Sequence, residues 1–351
     1  MPFACCATGP WRGAVRSKRR RRASSRRATR WLQCSASAPT LRRRRTLRRR
    51  SVASSETGAL LQTRRMKGLR TRSWLAGTAS GLSQAYGTGH AWLGLAIAVA
   101  LLAFEPAMFV LCVFAVVLAL PFSRWFEPDR FEQGLYLFNP FLFGCFSFAA
   151  FGLGVKAFAV IAVAVPVIVV FALRLDAIGR RTYFTAPYIA AAYVSFAALQ
   201  GRLPAFPVVD AARADFASGI VTSFAQVLLS ADIRIGLVVL IAGLVVLPLP
   251  TIVACVASTL LSLAWLAMGL PQATSAAGLV GYNAVILSFY VGYDVRTQMA
   301  RYVVALVGGF VAHALFFAAD FAAYTFPFVV SGWIYVALRA RMGKQAAGRP
   351  G

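Results

Sequence analysis

Gly134-Leu-Tyr-Leu-Phe-Asn-Pro-Phe-Leu-Phe-Gly144 lies within a long apolar region, and the stretch Gly278-Leu-Val-Gly-Tyr-Asn-Ala-Val-Ile286 repeats its pattern. In both stretches Gly-Leu is followed by two residues, an aromatic residue and Asn, and an aliphatic residue stands three positions further on. Their first residues are 144 positions apart, since 278 − 134 = 144. An internal repeat of this kind indicates a duplicated architecture.

Further motifs recur in the same order and at nearly the same distance. Two pairs are 142 residues apart and one is 140 residues apart: Ser83-Gln84 with Ala225-Gln226, Leu93-Gly94-Leu95 with Ile235-Gly236-Leu237, and Thr185-Ala-Pro-Tyr188 with Thr325-Phe-Pro-Phe328. Because the order is kept, the whole region and not a single motif is predicted to be duplicated.

The composition is that of a membrane protein. Of the 351 residues, 59% are hydrophobic and 14% are charged, whereas soluble domains average about 45–50% apolar and about 25% charged residues. The net charge of +26 arises mainly in residues 1–72, which contain 22 of the 37 Lys and Arg residues. We therefore predict an all-α polytopic membrane protein that follows an Arg-rich, disordered leader.

The leader, residues 1–72, permits three interpretations. Its basic runs are suited to nucleic acid or anionic lipid, and its Ser-rich, nearly acid-free composition is also that of an organellar transit peptide. The interpretation that we favour is a misassigned start, because Met66-Lys-Gly-Leu-Arg has the form of an ordinary short N-terminus directly before a membrane region.

The membrane region is predicted to contain two repeats, 73–202 and 213–341, with a linker at 203–212 and a cytoplasmic tail at 342–351. Each repeat begins with a segment rich in Gly, Ser and Thr that is too short and polar for a span of about 20 apolar residues. These segments are 74–89 and 213–230, and they are predicted to be re-entrant half-helices. Five apolar spans follow each one: 90–105, 107–122, 134–154, 157–173 and 185–201, then 233–247, 249–268, 277–293, 302–318 and 322–338.

An odd number of spans in each repeat requires that the second repeat enters the membrane inverted, and ten spans place both termini on one side. The distribution of basic residues tests this topology, since cytoplasmic loops are enriched in Lys and Arg. With cytoplasmic termini, the inner side carries Arg124, Arg130, Arg174, Arg180, Arg181, Arg296, Arg301, Arg339, Arg341, Lys344 and Arg349, and the outer side carries only Lys156, Arg202, Arg213 and Arg234. We predict an integral protein of the cytoplasmic (inner) membrane.

Few groups in the spans are suited to ion coupling or catalysis. The acids Glu105, Asp210, Asp215, Asp232 and Asp320, like Lys156, fall at predicted segment ends, which favours passive passage of a neutral solute. The six cysteines lack metal-ligand spacing, and no set of nucleophile and base is apparent. The sequence therefore predicts neither an enzyme nor a cofactor or metal site.

Polar residues at matched positions are candidates for the transport path. Gln84 and Gln226 occupy matched positions in the two polar segments, where each amide can contact a solute or, alternatively, cap or cross-link helices. Thr185 and Thr325 each precede a residue and then Pro. A proline leaves a helical carbonyl without its usual donor, and this carbonyl and the hydroxyl are then acceptors for a solute. Alternatively, Thr-x-Pro simply begins or kinks a helix.

Apolar residues at matched positions are candidates for the walls of the path. Phe138 and Leu142 are four residues apart and therefore share one helical face, as do Tyr282 and Ile286. Flat apolar walls would form a slot for a planar molecule, although such a stripe in a single copy is more often core packing. Asn139 and Asn283 are expected to be structural and to tie helices together.

Two known classes of channel fit these residues less well. Ammonium channels use a pair of histidines deep in the pore, but His90 and His313 do not occupy matched positions. Aquaporins carry twin Asn-Pro-Ala motifs in a repeat of three plus three spans, and here the corresponding triplets are Asn139-Pro-Phe and Asn283-Ala-Val.

Taken together, the repeated motifs resemble the urea transporter family over about residues 74–341. The resemblance implies a homotrimer in which each protomer has its own pore between inverted halves. It implies that Phe138 and Leu142 form one slot and that Tyr282 and Ile286 form the other. It also implies that Gln84 and Gln226 lie at the slot edges and that Thr185 and Thr325 lie at the central constriction. Relatives frequently have Phe where this chain has Tyr282, a small residue at Pro140, and in some cases Glu at position 226.

The predicted function is passive, channel-like transport of urea within membrane lipid, without a specific nucleic-acid partner. Two alternatives stay open: a channel for a related small amide or ammonia, and a non-transporting membrane interaction protein with a basic leader.

Overall fold

The computed structural model describes residues 75–178, 182–201 and 215–347. The predicted leader at 1–72 and the linker at 203–212 lie outside the described residues. Within these ranges the chain forms α-helices joined by turns and short 3-10 segments, with no strand. The all-α prediction is therefore confirmed for this part of the chain.

The helices of the first half are α1 (75–84), α2 (Ala91–Phe104), α3 (Pro106–Ala119), α4 (Pro128–Glu132), α5 (Phe138–Phe151), α6 (Val155–Ala177) and α7 (Ala186–Gln200). Those of the second half are α8 (Phe216–Gln226), α9 (Ile233–Val246), α10 (Pro248–Ala267), α11 (Gln272–Ala276), α12 (Tyr282–Val291), α13 (Val295–Ala318) and α14 (Phe326–Ala347).

The first residues of corresponding helices follow the distances found between the sequence motifs. Helices α2 and α9 begin 142 residues apart (233 − 91), as do α3 and α10 (248 − 106). For α5 and α12 the distance is 144 (282 − 138), and for α7 and α14 it is 140 (326 − 186). The order of long and short helices is thus the same in both halves.

Several helices are long and apolar enough to cross a membrane. By length and composition these are Val155–Ala177, Pro248–Ala267 and the continuous segment Tyr282–Ala318. Four shorter apolar segments accompany them: Ala91–Phe104, Pro106–Phe122, Phe138–Phe151 and Ile233–Val246. This is the composition of a helical membrane protein. The count of ten spans stays a prediction, because helices of 14 residues extend only about 21 Å.

The two segments predicted to be half-helices do form short helices. Helix α1 contains 10 residues and α8 contains 11, so each extends roughly 15 Å, about half of the ~30 Å hydrocarbon core. Their Gly, Ser and Thr content permits close contact with neighbouring backbones, and both are followed by turns.

The predicted spans 134–154 and 277–293 begin too early. Residues 134–137 and 278–281 form turns, and the helices begin at Phe138 and Tyr282. Gly134 and Gly278 both have φ +77°, which interrupts a helix. A Cβ atom at Gly134 would lie 2.2 Å from the backbone nitrogen of Gly81, so only glycine fits there. The five-residue helices α4 and α11, which precede these turns, were not predicted.

Two further glycines bring the short helices against their neighbours. A Cβ atom at Gly94 in α2 would lie 1.7 Å from the carbonyl oxygen of Ala79 in α1. A Cβ atom at Gly236 in α9 would lie 2.3 Å from the carbonyl oxygen of Val221 in α8. Backbone therefore meets backbone at both sites, and each half-helix is held by the helix that follows it.

We expect Gly94→Ala to lower the free energy of unfolding by about 1–3 kcal/mol, because the added methyl group forces α1 away from α2. Thermal unfolding of the purified protein in detergent measures this loss. Gly154→Ala is the matched control, since a Cβ atom there meets no atom within 4 Å and φ is −179°. Equal melting temperatures for the two variants would contradict the close contact.

Candidate functional site

The predicted slot residues lie at the starts of two matched helices. Phe138 is the first residue of α5 and Tyr282 is the first residue of α12. Leu142 and Ile286 lie one turn further along, as their spacing predicted, and all four side chains are buried. The preceding glycine turns determine where these helices begin and therefore where the aromatic rings lie.

Asn139 and Asn283 hold the first turns of α7 and α14. The Asn139 side-chain oxygen accepts a hydrogen bond from the Tyr188 backbone nitrogen at 3.3 Å. The Asn283 side-chain oxygen accepts one from the Phe328 backbone nitrogen at 3.0 Å. The first backbone N–H groups of a helix have no partner within the helix, so each amide supplies one. The structural role expected for both residues is confirmed.

Thr185 and Thr325 meet between the halves. Each immediately precedes a helix, α7 or α14, and each side chain is buried. The Thr325 hydroxyl donates a hydrogen bond to the Thr185 hydroxyl oxygen at 2.7 Å. Two residues 140 positions apart in the sequence are thus in direct contact.

The Thr-x-Pro motif begins a helix, as in the second of the two interpretations. Pro187 and Pro327 are the second residues of α7 and α14. At that position no intrahelical bond is lost, because the first N–H groups of a helix have no intrahelical acceptor. The expectation that proline leaves a carbonyl without a donor is therefore wrong for these positions.

The residues before the two threonines have an unusual backbone conformation. Phe184 has φ +47° and Tyr324 has φ +43°, values that are uncommon for residues other than glycine. Their rings pack on the opposite half. Phe184 makes edge contacts with Tyr290 and Phe328, with centroids 5.0 and 5.3 Å apart.

The ring of Tyr324 makes the reciprocal contacts. Its centroid lies 5.6 Å from that of Phe146 and 6.5 Å from that of Tyr188. Phe146 and Tyr188 are the first-half residues that correspond to Tyr290 and Phe328, at distances of 144 and 140 positions. Each half thus receives one aromatic ring from the segment that precedes the other half's threonine.

Gln84 and Gln226 are the last residues of α1 and α8, so they occupy matched positions in the two short helices. The Gln84 amide nitrogen donates to the Gln133 backbone oxygen at 2.9 Å, which agrees with the alternative that it caps and links helices. Gln226 is buried, with 9% of its surface exposed, whereas Gln84 is partly exposed.

The two histidines occupy different environments, so a deep histidine pair is not formed. His90 is exposed at the start of α2. His313 in α13 is buried, and its ring lies edge-on to Trp265 at 5.5 Å and to Tyr282 at 6.2 Å. It also lines a small cavity together with Asn283 and Ser331.

Charged groups lie at helix ends, as predicted. Glu105 separates α2 from α3 and accepts a hydrogen bond from the Ser230 hydroxyl at 2.7 Å. Asp232 precedes α9 and pairs with Arg234 at 2.6 Å. The hydrogen bonds from Arg234 lower the pKa of Asp232.

Among the described residues no group of three or more His, Cys, Asp and Glu could hold a metal ion.

The sequence analysis did not identify Phe184 and Tyr324, which immediately precede the two threonines. Phe184 and Tyr324 are also 140 positions apart, and this matched aromatic pair directly before each threonine was the available signal. Their positive φ values had no signal, because neither position is glycine. The bond across the centre between Thr185 and Thr325 depends on the tertiary arrangement alone.

An all-helical, apolar chain with this duplicated order of helices belongs to the class of polytopic membrane proteins. The family model "UT: Urea transporter" matches residues 75–340, which is the described part of the chain almost in full. The chain belongs to the urea transporter family. It is therefore an integral membrane protein, and membership implies passive transport of urea across a membrane rather than an enzymatic activity. No curated protein gives a significant match to the chain.

We expect Asn139→Leu to destabilise the protein more than Asn283→Leu does. Asn139 also donates to the Phe184 carbonyl oxygen at 3.2 Å, so its replacement leaves one buried and one partly buried backbone group unpaired. Replacement of Asn283 leaves only the Phe328 nitrogen. Each unpaired group costs about 1–3 kcal/mol.

Thermal unfolding of both variants beside the unmodified protein measures the difference. Both variants introduce the same larger, apolar side chain, so the difference between them reports the difference in lost hydrogen bonds. A lower melting temperature for Asn283→Leu than for Asn139→Leu would contradict the assigned bonding.

Proposed function

We propose that the protein is a passive, channel-like urea transporter whose path runs between two inverted halves. The single observation that carries this proposal is the buried hydrogen bond between Thr185 and Thr325, at 2.7 Å. The two residues occupy matched positions, and the starts of the matched helices α5 and α12 are tied to the adjoining segments. This arrangement is what a constriction between two slots requires.

The inverted relation of the halves is supported by their reciprocal contacts. Phe184 packs on the second half and Tyr324 packs on the corresponding residues of the first. A two-fold axis that relates the two halves would produce such reciprocal ring contacts. Five spans and one half-helix in each half, at 73–202 and 213–341, would then place the half-helix ends near the middle of the bilayer.

The slots suit a small planar amide. Phe138 and Leu142 would form one slot and Tyr282 and Ile286 the other, with Gln84 and Gln226 at the slot edges. Urea has four N–H donors and one carbonyl oxygen, and loss of its water without new partners is costly. Hydroxyl and amide oxygens replace that water, while flat apolar walls exclude hydrated ions.

Passive transport is favoured by the positions of the acids. Glu105, Asp215, Asp232 and Asp320 lie at or beside helix ends. Coupled transporters place ionisable groups deep in their spans, where proton or ion binding drives the cycle. A neutral solute that follows its own gradient needs no such group.

We also propose a homotrimer within the lipid of the cytoplasmic (inner) membrane, with both termini on the cytoplasmic side. Many large apolar side chains are exposed on the protomer surface, among them Trp92, Val155, Val163, Val245 and Leu315. Lipid tails or neighbouring protomers are the surroundings in which such a surface is stable. The excess of basic residues on one predicted side supports the orientation.

Urea flux into proteoliposomes, followed by stopped-flow light scattering, tests the proposal directly. We expect urea to equilibrate much faster than in empty liposomes, with no dependence on a proton or sodium gradient. Equilibration at the rate of empty liposomes would contradict the proposed function.

We expect Thr185→Val and Thr325→Val each to slow urea flux by about fivefold, which corresponds to the ~1 kcal/mol of one hydrogen bond. Valine keeps the shape of threonine and removes only the hydroxyl. Thr259→Val is the matched control, because the Thr259 hydroxyl bonds to the Cys255 oxygen of its own helix at 2.8 Å.

The same stopped-flow measurement compares the three variants at equal amounts of protein per vesicle. Unchanged flux in both Thr185→Val and Thr325→Val would mean that the two hydroxyls do not contact the transported solute.

A further inference from the structure

One hydrogen bond differs between the two halves at the centre of the proposed path. In the first half, Asn139 bonds on both sides of the threonine. Its amide nitrogen donates to the Phe184 carbonyl oxygen at 3.2 Å, and its oxygen accepts from the Tyr188 nitrogen at 3.3 Å. The start of α7 and the residue of positive φ are thus held by one side chain.

In the second half, two different side chains make the corresponding hydrogen bonds. Asn283 accepts from the Phe328 nitrogen at 3.0 Å, but the Tyr324 carbonyl oxygen accepts from the hydroxyl of Tyr282. The amide nitrogen of Asn283 is buried and has no hydrogen-bond partner among the described residues. The difference arises because position 282 is Tyr where position 138 is Phe.

The hydroxyl of Tyr282 therefore makes the bond to the carbonyl before the threonine that the Asn139 amide makes in the first half. Tyr282 forms the wall of the second slot, and Tyr324 immediately precedes Thr325 at the constriction. The bond keeps the ring in one orientation and occupies a lone pair of the Tyr324 carbonyl oxygen. The first slot has no equivalent, since Phe138 lacks a hydroxyl.

We propose that Tyr282 determines the selectivity of the transporter, because its hydroxyl fixes the wall of the second slot against the Tyr324 carbonyl oxygen. The second slot is thereby narrower than the first, while the carbonyl oxygens of Phe184 and Tyr324 each accept one hydrogen bond. It discriminates against ureas that carry an alkyl group on nitrogen. This inference rests on the proposed function and assigns the selectivity to one half of the path.

The unpartnered amide of Asn283 makes the inference testable with a stable variant. In Tyr282→Phe the Tyr324 carbonyl oxygen loses its donor, and the Asn283 amide nitrogen is free to replace it. Asn139 makes this pair of bonds in the first half, so the geometry is one that the fold already contains. We therefore expect Tyr282→Phe to fold, with a second slot that has the same ring and the same pair of asparagine hydrogen bonds as the first.

The experiment compares unmodified protein, Tyr282→Phe and Phe138→Tyr in proteoliposomes, with urea and N-methylurea as solutes. In Tyr282→Phe we expect the ratio of N-methylurea to urea permeability to rise by about threefold or more, as for a pocket that gains space for one carbon. In Phe138→Tyr we expect the ratio to fall, because a second hydroxyl then narrows the first slot.

A permeability ratio is chosen because a loss of folded protein lowers both fluxes together and leaves the ratio unchanged. An unchanged or lower ratio in Tyr282→Phe would overturn the inference. A Tyr282→Phe protein that fails to fold would also overturn it, since Asn283 would then not replace the lost donor. Absence of urea flux in the unmodified protein would instead contradict the proposed function. Normal flux with an unchanged ratio in Tyr282→Phe contradicts only the role of Tyr282.

Discussion

A helix that begins inside an apolar bundle must find partners for its first backbone N–H groups, because neither lipid nor apolar side chains supply them. Helices α7 and α14 begin in such surroundings, directly after the buried Thr185 and Thr325. The side chains of Asn139 and Asn283 supply an acceptor to each. The arrangement around the two threonines depends on this constraint, since Asn139 ties α5 to α7 and Asn283 ties α12 to α14.

The glycines around α1 and α8 meet a different need. A short helix is stabilised mainly by packing against its neighbours. Gly94 and Gly236 allow this contact through the absence of a Cβ atom, and Gly134 and Gly278 combine it with a positive φ. The glycines therefore determine where α5 and α12 begin, and the asparagines connect these helices to the starts of α7 and α14.

Sequence patterns predicted the elements whose signal is local. Apolar content located the long helices, Gly, Ser and Thr content located α1 and α8, and the spacing of four placed Leu142 and Ile286 one turn after their aromatic residues. The start of α5 at Phe138 was missed because the apolar run continues back to Gly134, while only the backbone conformation ends the helix. Helix α4 is too short for a periodic pattern. The positive φ values of Phe184 and Tyr324 are imposed by tertiary contacts and have no local signal.

The exchange of aromatic rings across the centre has a consequence for how the halves can diverge. Tyr324 belongs to the second half, yet its ring packs on Phe146 and Tyr188 of the first. A change of size at this position must therefore be accommodated by the opposite half. The hydroxyl of Tyr282 is bound to the Tyr324 carbonyl oxygen within its own half and avoids this coupling. Substitutions at the proposed slot wall are thus a route by which one half can change while the contact between Thr185 and Thr325 stays intact.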